Sequence, residues 1–169
     1  MKKDIVAGLG EIGFPIYQIV SKVFPVDGYD IDSNLIPKTN KKFELYHIRF
    51  LHVCIPYNKN FVSQVLKLNK KFLPEAIVIH STIKPGTTRN IQKKLTVPII
   101  YSATRGVHKR MRSDLKKYTK FFALDYTIPN SKLLSSAYTK LMKKSGIKTK
   151  KLSNSITLEL SKIICDTTY

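Results

Sequence analysis

Tryptophan is absent from the chain, and cysteine is nearly so: Cys54 and Cys165 are the only two in 169 residues. Two thiols cannot make a disulfide framework, and the pair lies too far apart in sequence for a Cys-x-x-Cys metal site. Each sits beside apolar residues, which predicts small core side chains and, by default, a cytoplasmic protein. No apolar run approaches the ~20 residues of a membrane-spanning helix. The start, MKKDIVAGLGEIG, is broken by glycines and Glu11, so it reads as a first strand and not as a signal peptide. Internal repeats, low-complexity tracts and linkers are missing too, which leaves one globular domain as the expectation.

Acidic residues are the other scarcity. Eleven Asp and Glu face thirty Lys and Arg, a formal charge of +19. Such a balance suits nucleic acid or another polyanion. Lysine carries most of the excess, however, and is spread with isoleucine and asparagine along the whole chain, as compositional bias would also produce.

What is present is an alternation of apolar runs and amphipathic stretches. Strands are expected at 4–9, 26–31, 49–56, 76–81, 98–103 and 120–124, with an edge strand near 148–152. Helices are expected at 12–23, 58–72, 86–95, 131–146 and 153–169, the last capped by Ser153 or Ser155. Pro15 falls in a first helical turn, where its missing N–H has no partner anyway. Residues 32–49 read as an irregular connection. Strands that are continuously apolar, alternating with helices, predict a doubly wound α/β fold: a mostly parallel sheet covered on both faces.

The segment GLGEIGFPIYQIV at 8–20 carries G-x-G-x-x-G between a strand and a helix. Alone it is a weak signal, and it gains weight from an acidic residue about 20 positions on. Asp30 stands 22 residues after Gly8 at the end of the second strand. Gly8 would make the tight turn, Gly10 would admit a pyrophosphate, and Gly13 would let the helix pack on the sheet. The helix start favours phosphate, and a carboxylate at Asp30 accepts from ribose hydroxyls while repelling a 2′-phosphate. NAD is therefore expected over NADP, with Asp32 the less suitable ribose ligand. Around this turn the candidate cofactor residues are Gly8, Gly10, Glu11, Ile12, Gly13, Asp30 and Ile31. Cys54, Ile55, Pro56, Ser81 and Thr82 end the third and fourth strands at the same edge.

Together Gly8-Leu9-Gly10-Glu11-Ile12-Gly13-Phe14-Pro15, Gly28-Tyr29-Asp30-Ile31-Asp32, Cys54-Ile55-Pro56 and Ser81-Thr82-Ile83-Lys84-Pro85-Gly86-Thr87-Thr88 resemble the N-terminal domain of the UDP-glucose/GDP-mannose dehydrogenase family. The likeness extends over most of residues 4–95, and Leu158-Glu159-Leu160-Ser161-Lys162 is similar to the start of the family's linking helix. The resemblance implies an NAD-binding domain over 1–152 and a linking helix from 153 to 169. It also implies oxidation of a sugar C6 alcohol with two NAD and a cysteine-bound intermediate. Thr82 matches the threonine beside the nicotinamide, and Lys162 matches the lysine that stabilises developing negative charge; these are the candidate catalytic residues. Two departures stand out. Ser102-Ala103-Thr104 replaces the family's Ser-Pro-Glu, and Asp166 replaces an asparagine. The family's second half, with its nucleophilic cysteine and most sugar contacts, has no counterpart here. The expectation is a shortened dehydrogenase or one completed by another chain, a nucleotide sugar as its substrate if it turns over, and a homodimer through 153–169. The alternative is a silent dinucleotide- or polyanion-binding module.

Three histidines were weighed. His52 and His80 lie in apolar strands and are expected to be satisfied core residues, while His108 stands in a basic loop where it could relay a proton. Arg105 to Lys120 holds seven basic residues and one acid, and Lys140, Lys143, Lys144, Lys148, Lys150 and Lys151 form a second basic cluster. Joined in space, the two would attract phosphates; nucleic acid is a less favoured partner than a dinucleotide. Tyr118, Phe121, Phe122, Tyr126 and Tyr138 are interleaved aromatics, with Phe121 and Phe122 read as core strand.

Overall fold

A computed structural model describes residues 1–37, 47–125 and 127–167, with backbone alone for His108, Asp166 and Thr167. The chain runs β1 (Lys2–Ala7), α1 (Gly13–Val20), β2 (Val26–Tyr29), β3 (His47–Val53), α2 (Phe61–Phe72), β4 (Ala76–Ile79) and α3 (Thr87–Gln92). It continues with β5 (Ile99–Tyr101), α4 (Met111–Lys117), β6 (Lys120–Phe122), α5 (Ser131–Lys144), β7 (Thr149–Lys151) and α6 (Ser155–Thr167). Five strands form a parallel sheet in the order β2-β1-β3-β4-β5. β6 and β7 form a parallel pair that joins the sheet edge through an antiparallel bridge from Tyr101 to Ala123. This is the expected doubly wound Rossmann architecture.

Side chains alternate across the sheet and separate two cores. Ile5, Ala7, Leu51, Val53, Ile77 and Ile79 pack with Phe61, Val65, Leu68 and Phe72 of α2, Ile91 of α3 and Leu158 of α6. Val6, Phe50, Val78 and Ile100 pack on the other face with α1, α4 and α5 through Ile16, Ile19, Met111, Leu115, Tyr138 and Leu141. Both faces are dry, which is why the strands read as unbroken apolar runs.

The strands and helices are mostly shorter than the sequence pattern suggests, because ends such as Cys54-Ile55-Pro56 leave the ladder to form the sheet edge. One helix escaped the pattern altogether. Within the charged run at 105–120, Met111–Lys117 is helical because Met111, Asp114 and Leu115 turn one narrow face inward. The cap of α6 is neither Ser153 nor Ser155; Asn154 accepts the Ile156 N–H on Oδ1 at 2.9 Å. The irregular connection at 32–49 begins with a short 3-10 turn, Ser33–Leu35, and ends in β3, which starts at His47; its residues 38–46 lie outside the described residues, as do Tyr126, 168 and 169.

A polar row crosses the second core. Asp4 is fully buried and takes a bidentate pair from Arg49, at 2.7 and 3.1 Å. The His52 and His80 rings meet at 2.9 Å between Nδ1 and Nε2, while His52 Nε2 and His80 Nδ1 have no hydrogen-bond partner among the described residues. The expectation of satisfied histidines is thus half met, and burial pushes the His80 imidazole well below its ordinary range.

Candidate dinucleotide site

The sheet order reverses direction between β1 and β3, and in open α/β sheets ligands lie outside the carboxyl ends of strands at such a point. Ala7 stands level with Tyr29 on one side and Val53 on the other, so the turn after β1 emerges between the ends of β2 and β3. Gly8 has φ 89°, and its N–H donates to Tyr29 O at 2.8 Å. A Cβ there would lie 2.9 Å from the Cys54 carbonyl carbon, so only glycine lets the turn pass this close over β3. A Cβ on Gly13 would overlap the Gly8 carbonyl oxygen, which fixes how near α1 approaches the turn. Gly10 differs from both: it is exposed, with nothing within 4 Å of a notional Cβ. Its open side faces a helix start that no side chain caps.

Asp30 braces this turn from β2. Its Oδ2 accepts the Leu9 N–H at 2.6 Å and its Oδ1 the Asp32 N–H at 3.0 Å. A carboxylate has about four lone-pair sites, so acceptor capacity remains for ribose hydroxyls. Asp32 is occupied differently: its Oδ1 takes both the backbone and side-chain N–H of Asn34 at 2.9 Å. Ile31 projects almost entirely into solvent beside Asp30, at 99% exposure.

β3 and β4 are tied at the same edge by Ser81, whose Oγ donates to Ile55 O at 2.6 Å. Thr82 follows, half-buried, ahead of the buried anchor Ile83. The sequence suggested that the helix start at Gly86 also opens on this crevice, and here the structure differs. The Gly86 and Thr88 N–H groups donate to Glu159 at 2.6 and 2.9 Å, and the Thr88 hydroxyl donates to it at 2.5 Å. A buried carboxylate from α6 closes the start of α3 and leaves no phosphate site there.

That contact fastens α6 to the sheet edge and delivers Lys162 to a second feature. A recess of about 120 Å³ lies between α4, β6 and α6, lined by Arg105, Lys120, Phe121, Leu158, Lys162 and Cys165 among others. Lys120 was unremarked in the sequence, one lysine among many. It is buried, and its Nζ donates to Ala103 O at 3.1 Å and Thr104 Oγ1 at 3.0 Å. Burial lowers its pKa to about 7; nearby Cys54 opposes the shift and Lys162 adds to it. Period-two alternation could have found it, because Lys120 shares its strand face with buried Phe122. Cys54 and Cys165 are both free thiols, so they do not pair. Burial pushes the Cys54 thiol up to about 12, leaving little thiolate at neutral pH.

With this geometry in place, the comparison with solved structures is informative. UDP-D-ManNAc dehydrogenase from Pyrococcus horikoshii superposes at TM-score 0.77 and 18% identity, over 99% of this chain and 50% of that one. The UDP-N-acetyl-mannosamine dehydrogenase of Staphylococcus aureus gives 0.73 and 16%, over 99% and 51%. The chain shares its fold with half of a UDP-sugar dehydrogenase. A reductive aminase from Aspergillus terreus, in complex with NADPH, matches at 0.62 and 10%, over 98% and 61%. The chain thus spans about half the length of the dehydrogenases it matches. No protein-family model matches the sequence, and no curated protein matches it significantly.

Every candidate from Gly8 to Thr82 belongs to the carboxyl edge of β1 to β4, and Lys162 joins that edge through α6. His52 and His80 lie within the core. His108 opens the short turn before α4, and its side chain is not among the described ones.

Proposed function

We propose that this chain binds NAD(H) across the carboxyl edge of β1 to β4 and is the cofactor-binding part of an oxidoreductase acting on an alcohol, of the nucleotide-sugar dehydrogenase type. The observation that carries this reading is the glycine turn itself. Gly8 and Gly13 are sterically required, Gly10 is open where a pyrophosphate would approach, and Asp30 is locked on the Leu9 N–H with acceptor capacity to spare. NAD would supply the hydride acceptor. Gly10, Glu11 and Ile12 would cradle its pyrophosphate at the start of α1, Asp30 would hold the adenosine ribose, and Ile31 would flank the base. Fold likeness alone does not choose the cofactor, since an NADPH-bound enzyme shares it; the Asp30 carboxylate is what favours NAD.

Thr82 would lie beside the nicotinamide, and Lys162 would stabilise negative charge developing on the substrate oxygen. Lys120, with a pKa of about 7, is suited to take the alcohol proton in place of the carboxylate that Thr104 does not provide. In the same reading residues 1–152 form the cofactor unit and α6 begins a linking helix, with Leu160 and Ile164 presenting the face on which a second protomer would pack. Among the described residues no helix is long and apolar enough to cross a membrane, and a cytoplasmic location is part of the proposal.

A second reading, binding without turnover, draws support from Thr104 and from the absence of a carboxylate among the hydrogen-bond partners recorded for Lys120 Nζ. Calorimetric titration with NADH and NADPH tests the first step. NADH is expected to bind at least tenfold tighter than NADPH, with the preference lost in Asp30→Ala. Equal affinities that collapse with salt would refute the crevice as the site. Incubation with NAD and UDP-sugars, followed by absorbance of reduced nicotinamide, separates turnover from silent binding.

A further inference from the structure

Two recesses open side by side at the amino ends of the strands, the edge of the sheet opposite the glycine turn. Their place is fixed by the Asp4 N–H, which donates to Pro25 O, and by Arg49, which grips Asp4. One, of about 180 Å³, lies between the ends of α1, α4 and α5, with Lys22, Arg112, Lys116 and Lys144 on its walls. The other, of about 600 Å³, is lined by Phe24, Arg49, Lys140, Lys143 and Lys144. They share Val23 and Lys144 and so form one groove.

The two basic clusters noted in the sequence therefore do meet: Arg112 and Lys116 come from the first, and Lys140, Lys143 and Lys144 from the second. No acidic side chain lines either recess. Nearby acids are engaged elsewhere. Asp4 holds Arg49, Asp27 holds Lys3, and Asp114 accepts the Val107 N–H. A simpler cause for cations here is that α1, α4 and α5 all end at this edge, where helix dipoles favour positive charge. Each terminus supplies only about −0.5 charge, roughly −1.5 in all, against the six exposed cations Lys22, Arg112, Lys116, Lys140, Lys143 and Lys144. Most of the positive charge is left over.

We propose that this groove binds the phosphate backbone of single-stranded nucleic acid. Cations stand on both walls of a concavity that admits a flexible phosphate chain more readily than the convex side of a duplex. Lysines dominate, and as mobile point charges they suit a sequence-indifferent polyanion better than the fixed carboxylate geometry of a folded acidic partner. The floor is apolar, with Val23, Leu141 and Phe24, whose ring carries the Arg49 guanidinium at 3.6 Å. Nothing in this site draws on the crevice at the other edge.

Fluorescence anisotropy with labelled single-stranded RNA and DNA of about fifteen nucleotides, the matching duplex and polyglutamate, across a salt series, tests the assignment. Single strands are expected to bind most tightly, RNA and DNA showing whether the 2′-hydroxyl matters. Lys116→Gln with Lys144→Gln should reduce the slope of log Kd against log salt by about 1.4, and Lys116→Glu with Lys144→Glu should weaken binding more than tenfold. Lys67→Glu with Lys70→Glu, on α2 across the sheet, is the charge-matched control, and urea midpoints verify that each variant is folded. Equal losses from the control pair, tighter binding of duplex or polyglutamate, or no binding at low salt would overturn the proposal.

Discussion

At the carboxyl edge of the sheet the working groups are mostly backbone: a glycine turn, an uncapped helix start and one aspartate that braces them. At the amino edge they are side-chain charges brought from 22, 112–116 and 140–144. The first site depends on atoms fitting within tenths of an ångström, so its residues are bound up with the fold. The second is a sum of exposed charges whose removal the fold should hardly register. Steric demand and long-range charge leave different marks on a molecule, and substitution should tell them apart.

The largest expected effect is at Gly13. Gly13→Ala drives a methyl into the Gly8 carbonyl, and relieving it should cost about 3 kcal/mol or more of stability, read in urea melts, with NADH binding lost. Glu159→Ala leaves the Gly86 and Thr88 N–H groups without their acceptor; at about 1–3 kcal/mol for an unsatisfied buried donor, a loss near 3 kcal/mol is expected. Hydrogen exchange should then show α6 released while the sheet stays protected.

The pH dependence follows from Lys120 and His80. Lys120 falls from 10.5 to about 7 on folding, so between those values the unfolded chain binds the extra proton. Stability should therefore rise with pH through that window, by up to about 1.4 kcal/mol per unit. Below about 7 the ammonium is present in both states and its burial penalty is constant. His80 is also depressed, so stability falls further as pH drops below its ordinary 6.5. Lys120→Met should flatten the thermal-melting profile between pH 7.5 and 9.5 and leave the acid limb unchanged.

Gly10→Ala sharpens the comparison within the crevice. Its methyl would meet no protein atom, so the melting temperature should hold while NADH affinity drops about tenfold, some 1.4 kcal/mol. The smallest effect is expected at the other edge. Lys116→Gln with Lys144→Gln should change stability by no more than about 0.5 kcal/mol and leave NADH binding intact. A marked loss of stability there would show that the two edges are not built so differently.

Much of the crevice was legible in the sequence because its parts are local. Gly8, Gly10 and Gly13 act through spacing, and Asp30 follows at the distance one crossover imposes. Buried strands such as 76–79 could be read as apolar runs because both faces of the sheet are covered. The helix Met111–Lys117 was hidden, since its inward face amounts to two apolar residues and Asp114 in a charged run. Glu159 looked like one residue of a motif; that its carboxylate closes α3 depends on a contact between residues 71 and 73 positions apart.

By itself, then, the sequence determined the α/β class, the turn after β1 and the acidic residue that serves it, because periodicity and short-range sterics are written in neighbouring residues. Only the tertiary structure decided that Lys120 is buried and half-neutral beside Lys162, that His52 and His80 stack on each other, and that two basic clusters close into one groove. Burial and proximity are properties of how distant segments pack, and no local pattern encodes the dielectric or the charge that a side chain will meet there.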